Sequence, residues 1–248
     1  MPKKKTKVAV FDIDGTIFRS SLLIELTEAL IEEGILPAKV RRIYAKTYKK
    51  WLDRKGDYRN YIDGVVLAFE KNIKGTKEVV DYVKSKNPEI SVEGELGYLR
   101  GESRIQKEVI KIKPEDLTKP EEAVEFADKT GIDRFAGAYG NSHGIFLEEP
   151  ALDIERIKAV RKTLPEKVVM VLHGGSGIPD SQIKEAIKAG IANIHINTEI
   201  RTAYAEALRK FLADNPEETT PYKILAPAAE AIQKKVEEKL KLFGWVNI

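Results

Sequence analysis

The 248-residue chain contains three histidines, His143, His173 and His195, and each follows a run of mostly apolar residues. The most informative run is 168–177, VVMVLHGGSG, where five apolar residues give way to His173, Gly174, Gly175, Ser176 and Gly177. An unbroken apolar run of this kind reads as a buried parallel strand, and the residues after it as the loop at its carboxyl end. A histidine there can bind a metal, and the bare amides of glycine and serine can cradle a phosphate. The segment 135–144, FAGAYGNSHG, ends in His143 and Gly144, and 192–199, ANIHINTE, carries His195, Asn197 and Thr198. Three consecutive strands with polar loops at the same end predict one active-site face. Near the amino terminus, a short apolar run over 8–12 leads into an acidic turn with Asp12, Asp14 and Gly15.

The elements that must position these groups fall into two rhythms. After the strand over 8–12, Ser20 or Ser21 caps a helix that Gly34 stops. Pro37 opens a second helix to about residue 54, and a third spans 58 to about 71. Beyond residue 72, helices over 76–86, 120–130, 153–164, 180–189 and 199–214 alternate with strands over 90–95, 135–139, 168–172 and 193–197. A last helix is expected over 227–243. The alternation predicts an α/β fold of four right-handed βα units around a parallel sheet. Two parts are expected, 1–71 and 72–248.

Composition bounds the class. Apolar residues make up 42% of the chain and charged residues 33%, enough for a core beneath a helix-rich surface. A net charge of +3, from 42 basic and 39 acidic side chains, gives no reason to invoke nucleic acid or an anionic membrane. Cysteine is absent, which fits a reducing compartment. No run approaches the ~20 apolar residues of a membrane span. Asp12 and Asp14 interrupt the first apolar run, so it does not read as a signal peptide. A cytoplasmic location is the expectation.

Longer motifs extend the reading. NIKGTKEVVDYV, VEGELG, DLTKPEEAVEFADKTGIDRFA, GNSHG, LDIERIKAVRK, LHGGSGIPD and INTEIR occur in that order across 72–248. This part resembles the C-terminal half of a class II fructose-bisphosphate aldolase, a metal-dependent (β/α)8 barrel whose site lies at the carboxyl ends of its strands. The resemblance implies a lyase acting on phosphorylated sugars of the fructose-bisphosphate or dihydroxyacetone-phosphate type. It implies that His143 and His173 are Zn2+ ligands and that Glu95 lies at the metal. Gly144, Gly174, Gly175 and Ser176 would hold substrate phosphate, with Asn197 and Thr198 as a second phosphate-binding segment. Glu102 matches the mobile acid/base loop. Ser103 stands where many members carry a second acidic residue, and His195 where many have an asparagine. A full member draws a third zinc histidine from its first four strands, and no such histidine precedes residue 72 here. The plain alternatives are a tight turn for HGGSG and solvated charges for Glu93, Glu95 and Glu102.

Residues 5–69, with VAVFDIDGT and SSLLIELTEALIEEGILP, resemble the N-terminus of a phosphatase of the haloacid dehalogenase (HAD) superfamily. That likeness implies Asp12 as an aspartyl-phosphate nucleophile and Asp14 as a general acid/base, with Mg2+ between them. Only the first motif of that family's site is present. The expected architecture is half of a (β/α)8 barrel with a HAD-like strand and helical segment. Either the strand over 8–12 covers an open sheet edge, giving five strands, or a homodimer closes the barrel. Three functions stand open: a zinc-dependent aldolase-like lyase, a Mg2+-dependent phosphatase through Asp12 and Asp14, and a non-catalytic phosphate- or metal-binding chimera. In the first, Asp12 or Asp14 could complete the metal site.

Overall fold

The computed structural model describes residues 22–34, 36–53, 55, 61, 64–65, 76–97, 99, 101–106, 111–145 and 151–244. The chain divides into two compact units, Met1–Tyr82 and Val83–Ile248. No helix among the described residues is long and apolar enough to cross a membrane.

In the first unit, α1 (Leu22–Glu32) ends as expected at Gly34, whose φ of 76° few other residues adopt. A 3-10 turn (Ala38–Val40) follows Pro37 and leads into α2 (Arg41–Leu52). Leu30, Leu36, Val40, Tyr44, Tyr61 and Val65 form a buried cluster with Ile31, and Trp51 and Tyr82 pack against it. Tyr61, Gly64 and Val65 are helical, in line with a third helix. The strand expected over 8–12, with Asp12 and Asp14, lies outside the described residues.

Helix α3 (Thr76–Lys86) contains the division between the units. Beyond it the second unit alternates as the sequence predicts. In chain order it contains β1 (Glu93–Leu96), β2 (Gly101–Ile105), α4 (Pro120–Thr130), β3 (Arg134–Gly137) and β4 (His143–Ile145). There follow α5 (Ile154–Thr163), β5 (Val169–Leu172), α6 (Asp180–Ala189), β6 (Ile191–Ile194), α7 (Thr198–Asp214) and α8 (Pro221–Leu242). Strands β1, β3, β5 and β6 lie side by side in that order, all parallel. Helix boundaries follow local chemistry. Pro120 starts α4 and Gly131, at φ 72°, ends it; the Asp153 carboxylate caps α5 by accepting from the Arg156 amide at 2.9 Å.

Gly94, Phe135 and Met170 are aligned across three strands and fully or nearly buried. A Cβ on Gly94 would press on Phe126 of α4 at 2.8 Å, so this row faces the helices. Full burial of Phe135 and Met170 contributes about 1.5–3 kcal/mol each.

Four expectations need correction. The segment after β1, expected as a charged loop, contains β2, which pairs in parallel with β4 in a separate two-stranded sheet. The strand expected over 135–139 stops at Gly137, and His143 opens β4 instead of ending β3. The cause is Asn141, whose side-chain oxygen takes the Tyr139 amide at 2.6 Å and bends the chain away from the ladder. The strand expected over 193–197 runs from Ile191 to Ile194, because Gly190 (φ 120°) turns the chain directly into it. The last helix begins at Pro221, not near Pro227, which lies inside it. Pro227 removes the bond to the carbonyl of Lys223, an exposed residue in the first turn, where water can substitute.

Candidate metal and phosphate site

Side chains two residues apart on a strand share a face. Gly94 faces the helices, so Glu93 and Glu95 of β1 project to the opposite side of the sheet. On β5 and β6 the same parity places His173 and His195 just past the strand ends. The His195 amide donates to the Leu172 carbonyl at 2.9 Å, which makes the two histidines neighbours. Their rings stack with centroids 4.4 Å apart and planes at 21°. Between β1 and β5 lies β3, which sets Arg134 beside Glu93 and the small Ala136 beside Glu95, and the glutamates reach across it to His173. His173 Nε2 meets Glu93 Oε1 at 2.6 Å and Nδ1 meets Glu95 Oε2 at 2.6 Å. His195 Nε2 lies 4.0 Å from Glu93 Oε2. One donor atom each from Glu93, His173 and His195 fall within 4.8 Å of one another.

The charges follow from this crowding. Burial works to lower the His173 pKa, and the hydrogen bonds and charges of Glu93 and Glu95 overcome it, pushing it up to about 9. Burial likewise works to raise Glu93, and the His173 bond with the charges of His195, His173 and Arg134 holds it below its usual value. His143 is shifted down, first by burial and also by the charge of His173, against the pull of Glu95. A cation held by the His173 imidazole would compete with the proton that Glu93 and Glu95 keep there.

Directly after His173 the chain turns at Gly174, with φ 61°. A Cβ there would collide with the Ser142 carbonyl oxygen, so no other residue fits without displacing backbone. The Gly175 amide donates to the His195 carbonyl at 3.0 Å. Ser176 is buried, and its hydroxyl oxygen accepts from the amides of Asn197 at 3.1 Å and Glu199 at 3.4 Å. The loop after β5 is thus fastened to the N-terminus of α7, a 17-residue helix beginning at Thr198. The amides of Gly175, Gly177, Asn197 and Glu199 are engaged within the protein, so the N–H dipoles that could face an anion here are those of the remaining residues of the turn and of the start of α7.

The structure brings together His173, Glu95, Gly174, Gly175, Ser176, Asn197 and Thr198 of the residues the sequence named. His143 is half-buried at the start of β4, close enough to feel Glu95 and His173 but outside the three-donor group. Gly144 follows it with φ 106°. Glu102 lies on β2, and its side chain is outside the described set, as are Asp12 and Asp14 entirely.

Sequence reasoning passed over four residues. Glu93 was a solvated charge by default, yet its spacing of two from Glu95 was the available signal. His195 was only a departure from a pattern. Asn141 ties the β3–β4 turn to the site, its amide donating to the His173 carbonyl at 2.9 Å. Gln106 does the same for β4, donating to the His143 carbonyl at 2.7 Å. Asn141 lies within the GNSHG motif, where the histidine drew the reading, and nothing in the local sequence marks Gln106.

A family model described as fructose-bisphosphate aldolase class-II matches residues 60–247. The sulfofructosephosphate aldolase of Alkalicoccus urumqiensis is 40% identical over 186 residues, 75% of this chain and 62% of the relative. Among solved structures, the YdjI aldolase from Escherichia coli K12 is 35% identical with a TM-score of 0.55, covering 72% of this chain and 57% of that one. The fructose-bisphosphate aldolase of Campylobacter jejuni, 21% identical with a TM-score of 0.51 over 70% and 57% of the two chains, shares the fold. The chain spans less than two thirds of the length of each of these relatives.

Proposed function

The chain belongs to the class II fructose-bisphosphate aldolase family, and from that premise we propose that it is a metal-dependent lyase cleaving phosphorylated ketoses. One observation supports the reading: the three-donor group and the glycine-serine turn are consecutive in the chain, His173 being followed at once by Gly174, Gly175 and Ser176. A ketose 1-phosphate carries its carbonyl one carbon from its phosphate ester. Adjacent cation and phosphate sites match that spacing.

Two imidazoles and a carboxylate form a donor set suited to Zn2+ with an open position. His173 is common to the set that the motifs name (His143, His173 and Glu95) and the set that the geometry assembles (Glu93, His173 and His195). We assign Glu93, His173 and His195 as the ligands. Glu95 is then the outer carboxylate that accepts from His173 Nδ1 and fixes which nitrogen faces the metal. When bound, the metal supplies Lewis-acid polarisation of the substrate carbonyl. The loop 174–176 and the start of α7 anchor the phosphate, and that anchoring orients the carbon–carbon bond to be broken. Glu102 is the proton carrier in this reading. The substrate class covers fructose 1,6-bisphosphate and the sulfofructose phosphate named for the Alkalicoccus relative, which share the ketose-phosphate character.

The test is to incubate zinc-loaded protein with each sugar phosphate and measure dihydroxyacetone phosphate. The expected result is release that stops on adding EDTA and resumes on restoring Zn2+. Sugar-phosphate binding without turnover would replace the lyase reading with a non-catalytic one. Phosphatase activity lost in Asp12→Asn would instead assign the chemistry to the amino-terminal motif.

A further inference from the structure

We propose that Lys239, near the end of the last helix, is a positioning residue that holds the 174–177 turn in shape through Glu199. The proposal rests on the phosphate reading of that turn.

Lys239 is 7% exposed, an unusual place for a lysine, since a buried ammonium needs a partner. Its Nζ lies 2.8 Å from Glu199 Oε2, and both side chains are well shielded, at 9% and 14% exposure. The other carboxylate oxygen, Oε1, accepts from the Gly177 amide at 2.8 Å. Each Glu199 oxygen thus has a separate task, one facing α8 and one facing the turn. The Glu199 backbone amide also donates to the Ser176 hydroxyl oxygen at 3.4 Å. A single residue at the start of α7 therefore grips two successive residues of the turn, and Lys239 neutralises its carboxylate from behind. Gly177 sits at φ 81°, a left-handed conformation that glycine adopts at no steric cost, so the bonds to Glu199 select this shape from the others open to it.

A buried ion pair is seldom the most stable filling for its volume, because apolar side chains avoid the cost of desolvating two charges. What an apolar pair could not do is hold the Gly177 N–H. With Lys239 removed, Glu199 keeps a shielded charge without its direct partner, the nearby Lys235 ammonium being paired with Glu238. Turning toward water would relieve that charge and release Gly177, and the loop would lose the curvature that presents Gly174 to Ser176. The role is one of orientation, since Lys239 itself is placed against Glu199 and not against the turn.

The experiment uses the full chain with three variants: Lys239→Met, Lys239→Arg, and the double variant Glu199→Gln with Lys239→Met. Two quantities are read for each, the hydrogen-exchange rate of the Gly177 amide by NMR and the Kd for inorganic phosphate by calorimetry. In K239M, exchange at Gly177 is expected to quicken and phosphate to bind about tenfold more weakly, with Zn2+ affinity unchanged. K239R, which keeps the cation, is expected to stay within about threefold of wild type. The double variant leaves a neutral amide whose oxygen still accepts from Gly177, and is expected to recover most of both readouts. It also keeps the test decisive if K239M does not fold. Unchanged Gly177 exchange and phosphate affinity in K239M, or in a K239M that fails to fold no rescue by the double variant, would overturn the proposal. If wild-type protein binds no phosphate while Gly177 still responds to K239M, the phosphate reading falls and the strut alone stands.

Discussion

Two charged clusters lie within a few residues of each other along this chain, and they are built on opposite terms. Around Glu199, one carboxylate meets one ammonium, and its remaining oxygen is taken by the Gly177 amide. Around His173, two carboxylates converge on a single imidazole, with His195 stacked beside it. The first cluster is balanced and closed. The second sets two carboxylates against the His173 imidazole, with Arg134 beside Glu93 and His195 stacked on the ring, so part of the positive charge that meets them is carried by a proton that can be exchanged. A cluster that folding alone required would resemble the first. The second gathers donor types that can hold a cation, and the contrast supports the proposed metal site.

His173→Ala should break the comparison most severely. It removes the group shared by both possible ligand sets, and Zn2+ affinity measured by calorimetry should fall by at least about a thousandfold. Next in size, His195→Ala and His143→Ala separate the two sets. The geometry puts His195 in the donor group and His143 outside it. His195→Ala should weaken Zn2+ binding about a hundredfold and His143→Ala less than tenfold. The reverse order would give the site to the set the motifs name. Glu95→Gln should cost about tenfold, since glutamine still accepts from His173 Nδ1 but no longer raises the basicity of the ring. Glutamine at 95 with no change in zinc affinity would sink the outer-carboxylate role.

The sequence carried most of the framework and about half of the site. Helix α4 was legible at both ends because Pro120 and Gly131 are local signals. The same holds for α6 between Pro179 and Gly190. Strand β5 and the turn after it were legible because an apolar run ending in HGGSG has few other readings. What escaped depends on pairings distant in sequence. Glu93 and His173 are 80 residues apart, and no periodicity within β1 tells which strand its acidic face will meet. Strands β2 and β4 are short and lie among charged or polar residues, so their pairing emerges only in three dimensions. Lys239 sits in a lysine-rich helix end where every neighbour looks equally solvated, and only the packing of α7 on α8 singles it out.

The effect that best sharpens the comparison, only a few degrees when read as stability, is with pH. In the metal-free protein His173 has its pKa raised from 6.5 to about 9, against burial, by Glu93 and Glu95. A raised folded-state value means that this group's contribution to stability is fully present below pH 6.5 and is lost as pH climbs through about 9. Glu93, held below its ordinary 4.5, contributes above that pH and loses its contribution as acid protonates it. Metal-free protein should therefore lose a few degrees of Tm between pH 6.5 and 9. Zinc binding runs the other way, because the metal must displace the His173 proton, and its affinity should rise about tenfold per pH unit across the same window. The Lys239 and Glu199 pair lies outside the donor group, so K239R should leave both slopes as they are in wild type. Thermal melts with and without Zn2+ at pH 6.5, 7.5 and 8.5 would show the two trends diverging. Parallel trends would mean that no metal competes for the proton on His173, and the metal reading of this cluster would fall.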